Sequence, residues 1–242
     1  YPDFPSALAS IGSTEVTLAI PFPVAVPDNA TVPATLLIRF TNGGRLDVAA
    51  GKTLTIKSSA DWPLKTVFGG EGVISFANGR ISTIHPEWWG AMGDGSTDDY
   101  WALQKAANVA LTINPTYKGG SIKLVGNVYR ITQTWRINNP SDDPNYAVTS
   151  RVSIEGSAGQ FNTRIDYEGT DTAIRFWFNK HYKLKALYVR NVAKNQTGTG
   201  IRIIGPASLS GNVGGGNTVW ERVLVEYFDK GVWLGDYQNG VS

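Results

Sequence analysis

Two carboxylates, Asp166 and Glu168, alternate with Ile165 and Tyr167, so on a strand they share one face about 6.6 Å apart. Glycoside hydrolysis commonly uses two carboxyl groups about 5 to 9.5 Å apart, which makes this pair a candidate for acid and base work. With Asp171 close behind, the same acids could equally hold calcium through oxygen ligands, and ordinary strand surfaces carry such pairs too. A second group is cationic and aromatic: Arg175, Trp177, Arg202 and Trp233. Arg grips carboxylate or sulfate through paired N–H groups, and Trp lies flat under a sugar ring, so a stripe of the two suits an acidic polysaccharide. The competing reading covers Trp177 and Trp233 with a loop or a second subunit. Lys180, His181, Lys183 and Lys185 make a basic loop near Trp177, and such a run is also what a solvated loop looks like.

Other chemistries find no support. His85 and His181 are the only histidines and have no Ser or Cys arranged beside them, which argues against a nucleophilic triad. With 0 Cys there are no disulfides and no thiolate chemistry, although an extracellular life stays open. Glycines 214 to 216 lie between Asn212 and Asn217 without a following Walker-type lysine, so they read as a loop between strands. No cofactor is called for.

The 242 residues are 42% hydrophobic with 27 Gly among short apolar runs, a composition that favours a turn-rich β architecture with a sizeable core. A net charge of +2 gives no global field for nucleic acid. No apolar run approaches the roughly 20 residues of a membrane helix. The chain opens at Tyr1 with neither a basic nor an apolar leader segment, so no signal peptide is visible. Sequons at Asn29 and Asn195 carry meaning only for a protein secreted through a eukaryotic pathway.

The elements that position these side chains start at Gly90. Gly93 and Gly95 permit positive φ, and Asp94 between them can accept backbone N–H groups. Ser96 or Thr97 is the expected helix cap, with Asp99 bonding back from the third helical position if Ser96 takes that place. Asp98 and Asp99 stand where the helix dipole favours carboxylates, so capping accounts for the acids without a metal. Leu103, Ala106, Ala107 and Ala110 follow helical spacing, giving a small-residue face for close packing over a helix of about residues 98–111.

Gly90, Ala91, Gly93, Asp94, Gly95, Thr97, Asp98 and Asp99, followed by Ala102, Gln104 and Ala106, resemble the Gly-Ala-x-Gly-Asp-Gly-x-Thr-Asp-Asp signature of the pectate-lyase-like superfamily. Residues 119–124 and 129–131 resemble the first strands that follow it, although Val125 stands where the signature usually has a proline. The resemblance implies an all-β, right-handed parallel β-helix with one capping helix, and it makes Gly93, Asp94, Gly95, Thr97, Asp98 and Asp99 a structural entry to the coil. Polygalacturonase-like enzymes and many phage tailspikes share this signature. An enzymatic member would be a polysaccharide lyase or glycoside hydrolase whose catalytic residues lie on later turns.

Repeats after the helix fit that expectation. Val152–Glu155, Leu187–Arg190 and Val223–Glu226 align at spacings of 35 (187 minus 152) and 36 (223 minus 187). Ile174–Trp177, Ile201–Ile204 and Val232–Gly235 align at 27 (201 minus 174) and 31 (232 minus 201). Stacked turns of this size bury a core that one turn cannot. Alternation turns Val152, Ile154, Leu187, Val189, Val223 and Val225 inward on one sheet. It does the same for Ile174, Phe176, Ile201, Ile203, Val232 and Leu234 on the other. The outward columns are then Glu155, Arg190, Glu226, an ion-pair ladder, and Arg175, Arg202, Trp233, flanked by Trp177.

The predicted organisation is a proline-rich segment over 1–33, either an extended arm of a kind that commonly needs a partner or a strand laid along a neighbour, a small β domain over 34–86, the signature turn and capping helix over 87–117, and β-helix turns over 118–242. Trp88 and Trp89, at the junction, are expected to fill space as a buried hinge. With three countable turns before Ser242, the stack is expected to continue or to be covered by another subunit. Three readings of function follow. The first is a phage tailspike or tail-fibre-like surface protein, extracellular or on the virion. It binds and in one version depolymerises a cell-surface polysaccharide as a homotrimer beside other tail proteins. The second is a secreted bacterial lyase or hydrolase, and the third a non-catalytic scaffold.

Overall fold

The computed structural model describes residues 3–59, 62–77, 81–111, 113, 119–137, 150–157, 163–177, 179–194, 196–205 and 219–236. Within them the protein is mostly β with parallel sheets. Parallel neighbours cannot be joined by hairpins, so each strand pairs with the one a full turn of chain later.

The amino-terminal part is already built this way. Helix α1 (Phe4–Ile11) is followed by β1 (Val16–Ile20), β2 (Pro23–Val26) and β3 (Ala30–Val32). The next turn carries β4 (Leu36–Phe40), β5 (Arg45–Val48) and β6 (Thr53–Ile56), and then come β7 (Phe68–Gly69) and β8 (Val73–Phe76). β1 pairs with β4, β2 with β5, and β3 with β6, while β7 and β8 extend the latter two ladders. Val24, Leu46 and Phe68 stand in register at 22-residue intervals (46 minus 24 and 68 minus 46). Residues 16–32 therefore hold strands laid along neighbouring strands, the second of the two expected forms, and do not make a free arm. Pro23 opens β2, an edge strand that needs no donor on its open side, and Pro5 sits in the first turn of α1, whose N-cap Asp3 accepts the Ser6 N–H at 2.7 Å.

An aromatic core joins this coil to the next part. Trp62 lies 5.3 to 5.9 Å from the rings of Phe40, Phe68, Phe76 and Trp88, and its indole N–H donates to the Ile38 carbonyl. Trp88 is buried and Trp89 half-buried, as the hinge reading predicts.

After β9 (Thr83–Ile84), a 3-10 turn over Pro86–Trp89, β10 (Asp94–Asp98) and α2 (Tyr100–Ala110), three ladders run side by side. The first contains β9, β11 (Ser121–Lys123), β14 (Ser150–Glu155), the first half of β17 (Asn179–Asn191) and the first half of β19 (Val219–Glu226). The second holds β10, β12 (Val128–Ile131), β15 (Arg164–Tyr167) and the second halves of β17 and β19. The third holds β13 (Trp135–Ile137), β16 (Thr172–Trp177), β18 (Thr199–Gly205) and β20 (Lys230–Asp236). The first two ladders thus stack five strands each and the third stacks four, more than the three turns the repeats predict, because β9 to β13 are too short to stand out. Their side chains fill the interior: Ile122, Tyr129, Trp135 and Ile137 are fully buried, each contributing roughly 1.5–3 kcal/mol of apolar transfer.

Two registers differ from expectation. Val152 faces Tyr182 and Ile154 faces Leu184, not Leu187 and Val189, which pair with Val223 and Val225. Ala186 has φ 54, and this left-handed residue shifts the alternation so that Leu184 and Leu187 both point inward. Arg222, at φ 55, repeats the bend 36 residues on (222 minus 186), so the corner is stacked on itself. In the third ladder the predicted register holds at Ile174, Ile201 and Val232. Val232 is nonetheless 46% exposed, since β20 is the last described strand of its ladder, and the side chain of Leu234 lies outside the described residues.

Helix α2 lies across the open edge of β13. The Gln104 amide donates to the Arg136 carbonyl at 2.9 Å and accepts the Arg136 N–H at 2.9 Å, so one side chain takes the place of a neighbouring strand. Leu103, Ala106, Ala107 and Ala110 form the packed face. Among the described residues no helix is long and apolar enough to cross a membrane.

Candidate functional site

The glycine turn is held by its own acids. Gly90, Gly93 and Gly95 all have positive φ, and a Cβ on Gly93 would come within 2.6 Å of the Gly126 Cα. Asp94 accepts the Ser96 and Thr97 N–H groups, both at 2.8 Å, and these bonds hold its carboxyl down at about 2. Ser96 and Thr97 do not cap α2: both lie in β10, and Asp99 occupies the N-cap position. Nor does the Asp99 side chain bond into the helix. It reaches back to the Met92 and Gly93 N–H groups at 2.7 and 3.1 Å, and burial pushes its carboxyl up to about 6. Asp98 takes the Tyr100 N–H at 3.2 Å and the Thr132 hydroxyl at 2.6 Å. Each of the three acids is engaged by hydrogen bonds, and among the described residues no group of three or more His, Cys, Asp or Glu is placed to hold a metal.

Beside this turn lies a buried polar contact that the sequence did not signal. The Tyr129 hydroxyl donates to Glu87 Oε1 and accepts the Gly126 N–H at 2.7 Å. Burial and the Glu87 carboxylate push this phenol far above its usual range. His85 Nδ1 stands 4.0 Å from Glu87 Oε2, and burial lowers the imidazole below its ordinary value. The position of Glu87 just inside the 3-10 turn connects the junction to the floor of the second ladder.

Asp166 and Glu168 are both claimed by arginines. Asp166 is buried, and its oxygens accept from Arg164 at 2.8 and 3.1 Å and from Arg190 at 3.0 and 2.7 Å. Glu168 takes a fork from Arg130 at 2.8 and 2.6 Å, which lowers its carboxyl. A general acid needs a raised carboxyl, and this arrangement supplies the opposite at Glu168. Asp171 is separately bonded to Arg175 Nη2 at 2.7 Å, so the three acids do not converge on one cation site.

The outer faces divide by charge. On the second ladder Asp98, Arg130, Asp166, Arg190 and Glu226 stand in successive register, alternating in sign. On the first, Lys123, Glu155, Lys185 and Glu221 do the same, with Lys185 3.5 Å from Glu221 and Lys183 3.2 Å from Glu155. The predicted Glu155–Arg190–Glu226 column is therefore two columns, since the bend at Ala186 puts Glu155 opposite Lys185. The predicted basic loop is also strand: Lys183 and Lys185 lie in β17, as do Lys180 and His181, whose side chains lie outside the described residues.

The third ladder carries like charges. Arg136, Arg175 and Arg202 are in register and lead to Trp233, adding Arg136 to the predicted stripe. Asp171 lies on Arg175, and the Arg202 guanidinium stacks 3.9 Å over the Trp233 ring, with Lys230 Nζ 4.7 Å from the same ring. Trp177 does not join this surface. It is 1% exposed and in register with buried Ile204, because adjacent Phe176 and Trp177 are both covered at the strand end and alternation fails there. The loop over 214–216 lies outside the described residues. Comparison with family models, with curated proteins and with solved structures finds no match for this chain.

Proposed function

We propose that the chain is a right-handed parallel β-helix from a phage tailspike or tail-fibre-like surface protein. In this reading it binds an anionic cell-surface polysaccharide, outside the cell or on the virion, as a homotrimer alongside other tail proteins. The observation that carries the binding reading is the contrast between faces. Two ladders neutralise their own charges rung by rung, while the third stacks Arg136, Arg175 and Arg202 about 4.8 Å apart. Three like charges at that spacing favour an anionic partner laid along the stack, in addition to the contacts that Arg136, Arg175 and Arg202 make with Tyr100, Asp171 and Trp233. The arginine forks on Asp166 and Glu168 favour binding over a lyase or hydrolase reaction at these two residues.

The test is retention on immobilised polygalacturonate against dextran, with mass in solution measured in parallel. Binding of the anionic polymer that falls at least tenfold in Arg175→Ala and Arg202→Ala, both still folded at the assay temperature, is the expected result. No retention of either polymer would favour the scaffold reading, in which Asp171 and Trp233 suffice as partners for the arginine column. Release of shorter chains by wild type would instead favour the enzyme.

A further inference from the structure

We infer that the outer edge of β19 receives a strand of a partner polypeptide, laid parallel to it, with one basic side chain opposite Glu221 and another opposite Glu226. The inference goes beyond the polysaccharide reading and does not depend on it. Inside the first two ladders the acids have a cation on both flanks: Glu155 stands between Lys123 and Lys185, and Asp166 between Arg130 and Arg190. Glu221 and Glu226 continue the alternation but face Lys185 and Arg190 on one flank only, because among the described residues β19 pairs with β17 alone. Lys185 lies 3.5 Å and Arg222 3.2 Å from Glu221, and the Tyr188 hydroxyl donates to Glu226 at 2.6 Å. Carboxylates of this stack take several donors at once, as Asp166 does from Arg164 and Arg190, so these contacts leave room for a cation from the next strand.

Burial points the same way. Leu184, Leu187 and Val189 of β17 are fully buried, whereas Trp220, Val223 and Val225, which face them, are half-buried and Val219 is 46% exposed. An edge strand also presents a row of backbone N–H and C=O groups to an incoming strand. The partner strand is thereby specified: two basic residues five positions apart (226 minus 221), apolar residues opposite Val223 and Val225, and a bend beside left-handed Arg222. β17 itself meets these conditions through Lys185, Arg190, Leu187, Val189 and the bend at Ala186. A second copy of the chain does not supply such a strand. Its β17 is paired on both sides, its β1 carries no charged residue, and another β19 edge would set acids against acids.

The probe is a labelled peptide with the sequence of residues 182–191, which carries Lys185 and Arg190, together with the same peptide bearing Lys185→Glu and Arg190→Glu. Binding of each to the wild-type chain and to the Glu221→Lys, Glu226→Lys double variant is followed by fluorescence anisotropy, with unfolding midpoint and mass in solution recorded. Wild type is expected to prefer the basic peptide by roughly tenfold or more, and the double variant to reverse that preference. Should the double variant not fold, the two peptides on wild type decide by themselves. Equal binding of both peptides would mean that the charges do not select the strand, and would overturn the inference. Binding of neither to the folded chain would mean that the acids close the edge against pairing, and would overturn it too. A wild-type mass above that of one chain that falls to one chain in the double variant would make the edge a contact between copies, which also overturns it. Retention on polygalacturonate is read separately and does not bear on any of these outcomes.

Discussion

Arg202 and Trp233 stand opposite each other in the β18–β20 ladder, with the guanidinium carbon 3.9 Å from the centroid of the indole ring. The contact lets the arginine column end on an aromatic face instead of a fourth cation. A cation–π pair contributes about 0.5–1 kcal/mol when exposed and roughly 2 when desolvated. Trp233→Ala is expected to destabilise the protein by about 1–2 kcal/mol in urea denaturation, and Trp233→Phe by less. Trp233→Leu, which keeps apolar volume without a π face, separates the causes: a loss as small as that of Trp233→Phe would mean that packing volume, not the cation, sets the effect.

Asp166 sits between Arg164 and Arg190, and removing its charge leaves two guanidinium groups facing each other. Asp166→Asn is expected to cost about 2–4 kcal/mol, a little below the roughly 3–5 kcal/mol of a fully buried pair because both arginines are partly exposed. Glu168→Gln, at a more exposed pair, is expected to cost about 1 kcal/mol or less. Denaturant midpoints at low and high salt would check both, and the reverse order would contradict the ladder argument.

Two buried groups respond to acid in opposite directions. Asp99 holds its proton more tightly folded than unfolded, about 6 against an ordinary 3.8, so its contribution to stability rises as pH falls through that window. His85 holds its proton less tightly folded, so its contribution is complete above its ordinary 6.5 and is lost as pH falls below it. Wild type is therefore expected to change little between about pH 7 and 5. Asp99→Asn should lose stability on acidification over that range, and His85→Gln should gain it. Parallel pH profiles in the two variants would exclude this pairing.

Gly93 combines a φ of 58 with a Cβ position 2.6 Å from the Gly126 backbone. Gly93→Ala is expected to cost well over 1 kcal/mol, through backbone strain and a clash that no side-chain rotation relieves. Gly231, which has open space around its Cβ position and no positive φ, is the control, and Gly231→Ala should be near neutral. Thermal unfolding of the two variants makes the comparison.

Much of the third ladder was legible in the residue pattern. Ile174, Ile201 and Val232 align because no left-handed residue shifts the register within β16, β18 or β20, even though alternation fails at Trp177, and the apolar face of α2 follows from helical spacing. The Asp94 turn was legible too, because two glycines around an acid leave few backbone solutions. The amino-terminal turns were not legible, although Val24, Leu46 and Phe68 repeat at 22 residues, because the prolines of residues 1–33 break the alternation that would mark β1 to β3.

What the sequence by itself determined is local: which residues alternate, where the chain turns, and which face of α2 is apolar. Only the tertiary structure decided the partners. The left-handed bend at Ala186 moved Glu155 from Arg190 to Lys185, a change of register that no pattern of period two encodes. The fate of Asp166 was set by Arg164 within its own strand and by Arg190 one turn away, and that of Trp177 by burial at a strand end. Tyr100 reads in sequence as one more residue of the capping helix. Its hydroxyl meets Arg136 only because Gln104 closes the edge of β13 and carries α2 with it. Contacts between turns depend on the number of residues in every intervening loop and bend, and that sum is settled by the packed coil as a whole.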